Sequence, residues 1–365
     1  MRVLLVSPKP PPVGGIATWT NVVLNSPLPA GVELRALDTG IRWRSLVADN
    51  FAWTVIGGIG HGIQTLLELI WLLVSWRPRV VHLCTAGRLG MFRDIVFIVV
   101  SRCLGAKVCL HFHRSFKRSE VAEFSDRERF EKKLVMIACS LSNAVFVINE
   151  ATRSELSASM GERKVRRISN MVSCITEEEL NALKESRDKA TILFVGHVLE
   201  SKGVIDLIEA ATRLPGGHQG FRVDVVGTVS ASMRSQIAEK YPFDWVNLVG
   251  ELQGEQVVER MKVATLLCLP SYSEGFPFVI LEAMSVGTPI VATPVGAIGE
   301  ALADGAGVLV PVGDPTQLAN ALQRLLSDPR QREAIGDRGW RRCVEMYSTQ
   351  AQMRVLIEEW ERVLS

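Results

Sequence analysis

SEGFPFVILEAMSVGTPIVAT, residues 273–293, reads in three parts. Gly275 permits a sharp turn, and Pro277 suits the first turn of a helix. FVILEAMSV then has helical character, Gly287 closes it, and PIVAT is the unbroken apolar run of a strand buried on both faces. A helix feeding a buried strand is half of a βαβ unit, so the stretch points to a parallel α/β sheet. It also carries two carboxylates in a run that otherwise belongs to a core. Glu274 lies in the loop before the helix and Glu282 in its second turn. The first amides of that helix, on Phe278 and Val279, point out of its start and suit an anion, typically a phosphate. A carboxylate inside the helix can accept hydrogen bonds from the paired hydroxyls of a ribose, and one in the loop can do so for a sugar. One segment thus offers places for a sugar, a diphosphate and a ribose in a row.

The same alternation runs outward in both directions. Continuous Val/Ile/Leu runs recur at 3–7, 80–84, 107–112 and 144–149, then at 191–196, 222–227, 266–270 and 289–293, separated by longer helical patterns. Such strands imply parallel sheets covered on both faces, with functional loops at their carboxyl ends. A chain of 365 residues exceeds one compact domain, so two are expected. The polar segment TEEELNALKESRDKA, 176–190, reads as the connection between them. TQAQMRVLIEEWERVL, with Trp360, has the spacing of a terminal helix.

Composition narrows the class. Hydrophobic residues make up 47% and charged residues 22%, which fits a large core. Residues 1–180 hold 23 Lys/Arg and 16 Asp/Glu, a balance of +7, and the remainder holds 18 and 23, a balance of −5. A basic first half and an acidic second half suggest different partners for the two domains. No nucleic-acid partner is expected. Seven dispersed cysteines with no CxxC pair argue against a disulfide framework or zinc site and for a reducing compartment. The apolar part of MRVLLVSPKPPP is too short for a signal peptide and reads as a buried strand. Segment 51–76 is interrupted by His61, Gln64, Glu68 and several glycines, so a buried or interfacial helix over about 62–76 fits better than a membrane span. No strand is followed by G-x-G-x-x-G, which disfavours a nicotinamide oxidoreductase.

PSYSEGFPFVILEAMSVGTPIVATPVGAIGE resembles the donor-binding segment of the retaining glycosyltransferases of family 4, which have the GT-B fold, and the family's paired glutamates fall on Glu274 and Glu282. The resemblance covers nearly the whole chain in order. PPPVGGIATW, with Gly14 and Gly15, resembles the N-terminal glycine loop. HFHRSF resembles the histidine loop of the acceptor domain, with His113 the nearer equivalent and His111 its competitor, since strand alternation gives both the same face. RRISNMV resembles the Asn motif beside the linker, and FVGHVLESKGVIDLIEA the phosphate-binding segment with its lysine, here Lys202. LVGEL, with Leu252, resembles the loop that cups the base, and YSTQAQMRVLIEEWERVL the helix that crosses back to the first domain. The chain departs at His197, where the family usually has Arg, at VVGTVS, which lacks a Gly-x-Gly, and at NMVS in place of an Asn-Gly turn.

The resemblance implies two Rossmann-like doubly wound domains facing a cleft: an acceptor domain at 1–175, the connection at 176–190, a donor domain at 191–347, and a C-terminal helix at 348–365 packing on the first domain. It implies sugar transfer from a nucleotide-sugar donor to a sugar or lipid-linked sugar acceptor, by a hexosyl- or related transferase. Catalytic roles would fall to His113, Glu274 and Lys202. Donor binding would fall to Gly14, Gly15, Gly196, His197, Leu252, Gly275, Phe278, Val279 and Glu282. An ammonium at Lys202 can neutralise the leaving diphosphate, and the chain has no Asp-x-Asp for a cation, so no metal or other cofactor is expected. The basic first half, its apolar stretch 62–76, and HRSFKR and ERKVRR suit a lipid-diphosphate acceptor and an anionic membrane surface. The expected place is the cytoplasm, peripheral on the inner face of the membrane, in bacterial surface polysaccharide or glycolipid assembly. A nucleotide-sugar epimerase of the same architecture and a non-catalytic partner subunit are the competing classes.

Overall fold

The computed structural model describes all residues except 12–13, 41–50, 88–89, 115–125, 188–190, 215–219 and 242–243. The chain forms two compact units, Met1–Ser169 with Gln352–Ser365, and Asn170–Ala351.

The first unit alternates strand and helix: β1 (Arg2–Ser7), α1 (Gly15–Asn25), β2 (Glu33–Asp38), α2 (Phe51–Ser75), β3 (Val80–Thr85), α3 (Met91–Cys103), β4 (Lys107–Phe112), α4 (Asp126–Leu141), β5 (Ala144–Val147), α5 (Glu150–Met160) and β6 (Val165–Arg167). The strands form one sheet in the order β2-β1-β3-β4-β5-β6, and every recorded pair is parallel. Side-chain alternation divides its two faces. Leu4, Val6, Val81, Leu83, Val108, Leu110, Val145 and Val147 share one core with α2, α3, α4 and α5. The intervening residues, among them His82 and His111, face Trp19 of α1 and Trp360 of the C-terminal helix.

The second unit holds α6 (Glu177–Ser186), β7 (Thr191–Val195), α7 (Val204–Thr212), β8 (Arg222–Val226), α8 (Ala231–Lys240), β9 (Val246–Gly250), α9 (Gly254–Val263), β10 (Leu266–Leu269), α10 (Phe278–Ser285), β11 (Ile290–Ala292), α11 (Ile298–Ala301), β12 (Val308–Leu309), α12 (Pro315–Ser327) and α13 (Pro329–Met346); α14 (Thr349–Arg362) ends the chain. The strand order is β12-β11-β10-β7-β8-β9, parallel throughout. From its first strand this sheet runs outward in both directions, the doubly wound pattern that places a ligand crevice where the order reverses, at the carboxyl ends of β7 and β10.

All eight expected strands are present, within two residues of their expected ends. Two expectations need correction. The segment 176–190 is not a bare connection. It opens with a capping box between Thr176 and Glu179 and forms α6, whose Leu180 is buried. Arg187 then donates to the carbonyls of Val286 and Gly287, and Lys184 pairs with Asp337 at 2.7 Å. These contacts build it into the second unit, which begins at Asn170 rather than after 190. The helix expected over 62–76 starts eleven residues earlier, at Phe51, because the glycines of its first half do not break it. Among the described residues, no helix is long and apolar enough to cross a membrane. Most of HRSFKR and of 117–133 lies outside the described residues, where only α4, from Asp126, carries that stretch.

Candidate functional site

In the second unit the loops after β7 and β10 meet. After β7 come Gly196 and His197, whose side chain is exposed, then a 3-10 turn at Glu200–Lys202 and Gly203 leading into α7. Gly203 has φ 68, and a Cβ there would lie 2.1 Å from the Pro270 carbonyl oxygen, so glycine brings the two loops together. The Tyr272 amide donates to the Ser201 carbonyl at 2.9 Å. Across this seam Lys202 Nζ lies 2.7 Å from Glu274 Oε1. Ser271 Oγ donates to the same carboxylate oxygen at 2.8 Å. Lys202 and Glu274, separated by 72 positions, are thus brought into direct contact where the strand order reverses.

Helix α10 starts four residues after Glu274. Pro277 stands at its N-cap position and offers no side-chain cap, so the first amides, on Phe278 and Val279, have none. Glu282 stands one turn further on the face of Phe278. Among the described residues its carboxylate has no hydrogen-bond or ion-pair partner, and burial pushes it up to about 7. A shielded carboxylate without a partner has both oxygens available to hydroxyl donors. The loop before α10 is held from two sides. The Ala297 amide donates to Gly275 O at 2.8 Å, and Asn170 Nδ2 to Phe276 O at 2.8 Å. Gly296, at φ 59, is where glycine is needed, since a Cβ would lie 2.3 Å from Glu274 O.

Ser271, Gly296 and the contact made by Asn170 had no spacing signal of their own; only folding the two loops together reveals them. At the far side of β7, Gly227 lies so near Gly196 that a Cβ would come within 2.0 Å of its carbonyl oxygen. Leu252 is half-buried just after β9.

Gly14, Gly15 and His113 lie in the first unit. Gly14 is the extended N-cap residue of α1, and a Cβ on either glycine would meet nothing within 4 Å. Space there is open to an incoming group rather than demanded by the protein. The two candidate histidines differ in their hydrogen bonds. Trp360 Nε1 donates to His82 Nδ1 at 3.0 Å, His82 Nε2 faces His111 Nδ1 at 3.2 Å, and His111 Nε2 faces Ile168 O at 3.2 Å. The indole N–H fixes the direction: both imidazoles are neutral with the proton on Nε2. Burial lowers His111 to about 3. His113 follows β4, its amide donating to Thr85 O, and its ring packs 4.0 Å from that of His111 and 5.0 Å from that of Trp19. Among the described residues both its ring nitrogens are shielded from solvent and lack partners, and burial first, then His111 and His82, hold it well below its ordinary value. His111 is a satisfied core residue, and His113 is the imidazole with hydrogen-bonding capacity to spare. His82, Cys84 and His111 have ligand atoms within 4.8 Å of one another. Both imidazoles are already committed to the relay, and burial pushes the Cys84 thiol up to about 12, so hydrogen bonding accounts for the cluster.

Residues 175–342 match the family model of the Glycosyl transferases group 1. The chain is 35% identical over 174 residues to the D-inositol 3-phosphate glycosyltransferase of Thermobifida fusca, covering 44% of this chain and 40% of that one. It is 27% identical over 264 residues to the alpha-D-kanosaminyltransferase of Streptomyces kanamyceticus, covering 66% of each. It thus spans less than two thirds of these relatives' lengths. Among solved structures, a glycosyltransferase from Rickettsia africae superposes with TM-score 0.74 at 17% identity, over 100% of this chain and 98% of that one. Anabaena HepE in complex with UDP superposes with TM-score 0.72 at 15% identity, over 99% of this chain and 100% of that one. The family match falls on the unit that carries Lys202, Glu274 and Glu282, and the fold match extends over both sheets. Residues 175–342 thus resemble the Glycosyl transferases group 1, and the two α/β units have the fold of the GT-B glycosyltransferases.

Proposed function

We propose that the protein is a metal-independent glycosyltransferase that moves a sugar from a nucleotide-sugar donor to an acceptor hydroxyl and retains the anomeric configuration. The observation that carries this is the Lys202–Glu274 contact beside the uncapped start of α10, one turn from the partnerless Glu282. An ammonium has three N–H donors. Glu274 takes one, and two remain for the leaving diphosphate, with the amides of Phe278 and Val279 beside them. Glu282 accepts from the ribose hydroxyls, and Glu274 keeps an oxygen for the sugar. No carboxylate in this arrangement has an evident role as a nucleophile, which favours a front-face route. In the first unit, neutral His113 offers a hydrogen bond to a substrate hydroxyl. His197, exposed after β7, presents an imidazole that can hydrogen-bond a phosphate.

The name of the Anabaena complex supports a nucleotide donor, because that protein binds UDP in the same fold. The acceptor we assign is a lipid-linked sugar at the inner face of the bacterial membrane, in polysaccharide or glycolipid assembly. What supports it is the +7 balance of residues 1–180.

Purified protein given a panel of labelled nucleotide sugars, with and without a chelator and with membrane extract as acceptor source, tests the reaction. Labelled product that forms equally with the chelator is expected. Loss of all activity on chelation, restored by magnesium or manganese, would overturn metal independence. Conversion of the donor to an isomeric nucleotide sugar without acceptor would instead identify an epimerase.

A further inference from the structure

Helix α2 is apolar on two opposite sides. Leu69, Leu72, Leu73 and Trp76 enter the core of the first unit. On the other side, at positions i, i+4, i+8 and i+11, Ile63, Leu67, Trp71 and Val74 are 56%, 63%, 62% and 56% exposed. A helix on a soluble surface carries polar residues there. The stripe continues onto the neighbouring helices of the same sheet face: Phe92, Val96 and Val99 of α3 are exposed, as are Phe130 and Ile137 of α4, and the rings of Phe92 and Phe130 lie 5.8 Å apart. Three adjacent helices therefore present one apolar surface.

At the C-terminal end of α2 that surface meets a notch of about 460 Å³. Arg77, Arg79 and Lys107 line it together with Leu73, Val74 and Leu104. All three cationic residues are exposed, and among the described residues none of their side chains has an ion-pair or hydrogen-bond partner. Arg77 holds φ 53, the left-handed conformation that glycine favours after a helix, yet carries a cation there. The notch sits at the amino ends of β3 and β4, opposite the end that bears His113.

We infer that the α2–α4 face docks on a bilayer and that the Arg77–Arg79–Lys107 notch receives the phosphate of an anionic phospholipid. Charge complementarity selects this occupant. Apolar side chains suit the acyl boundary, and unpaired cations at the end of the stripe stand where headgroup phosphates lie. The inference deepens the membrane-side acceptor assigned above by naming the surface that makes the contact.

The test is flotation of the full chain with vesicles of phosphatidylcholine alone and of three parts phosphatidylcholine to one part phosphatidylglycerol. The variants are Arg77→Glu/Arg79→Glu/Lys107→Glu and Leu67→Glu/Trp71→Glu, with circular dichroism confirming the fold. Wild type should partition to the anionic vesicles at least tenfold better. The notch variant should lose that preference, at roughly fivefold for each cation. The stripe variant should float with neither vesicle. Equal flotation of wild type on both vesicles, or an unchanged preference in the notch variant, would overturn the inference. So would a concentration-dependent dimer abolished by the stripe variant in a protein that ignores vesicles, because the face would then be a contact between copies. Nucleotide-sugar binding, measured on the same samples, should be unaffected in both variants, so failure here leaves the donor site standing.

Discussion

Glu282 couples the candidate site to pH. Its carboxyl titrates near 7 in the folded protein and near 4.5 when unfolded. A raised carboxyl favours folding in its protonated form, so this contribution is fully present below about pH 4.5 and is lost as pH rises through 7. Glu282→Gln should therefore stabilise the free protein above pH 7, by on the order of 2 kcal/mol once partial contact with water is allowed for. It should do nothing below pH 4.5. In the proposed role the ribose hydroxyls need the ionised form, so donor affinity of the wild type should fall as pH drops below 7, and proton release should accompany binding at that pH. Thermal melts and calorimetry across pH 5–8 check both; a wild-type affinity that is flat with pH would contradict this role. Glu274 and Glu282 were legible because a charge inside an apolar run stands out. Strand alternation could not separate His111 from His113, since it gives both the same face. What separates them is the hydrogen-bonded path from Trp360 through His82, which joins residues 278 positions apart.

The strands found from sequence are the inner ones of each sheet. The four that were not, β2, β6, β9 and β12, are the four sheet edges. An edge strand needs no continuous apolar run, and ELRALD and VRR keep charges that an inner strand would exclude. Helix α6 escaped for a related reason. Among its described residues only Leu180 is buried, and its polar composition resembles a tether. Its packing nonetheless dictates its surroundings: Gly287 is at φ 65, and a Cβ there would meet Leu180 Cδ1 at 2.3 Å. Leu180→Ala should cost about 2–4 kcal/mol, the usual price of an emptied core position. Chemical denaturation of the variant checks this. A loss below about 0.5 kcal/mol would return 176–190 to a bare connection.

Two parallel sheets were foreseeable from periodicity, whereas the order of their strands was not, because which strands pair depends on crossovers rather than on local sequence. That order matters for function: it sets β7 beside β10 and so brings Lys202 to Glu274 at the point of reversal. We propose that this contact, with α10, receives the diphosphate and ribose of a nucleotide sugar. Calorimetric titration of UDP-, GDP- and ADP-hexoses into wild type, Lys202→Ala and Glu282→Ala tests it most directly, with each fold verified by circular dichroism. At least one donor should bind the wild type, and each substitution should weaken it by about 1.5–3 kcal/mol, a factor of roughly ten to a hundred. Binding of the same donor with unchanged affinity by folded Glu282→Ala or Lys202→Ala protein would contradict it.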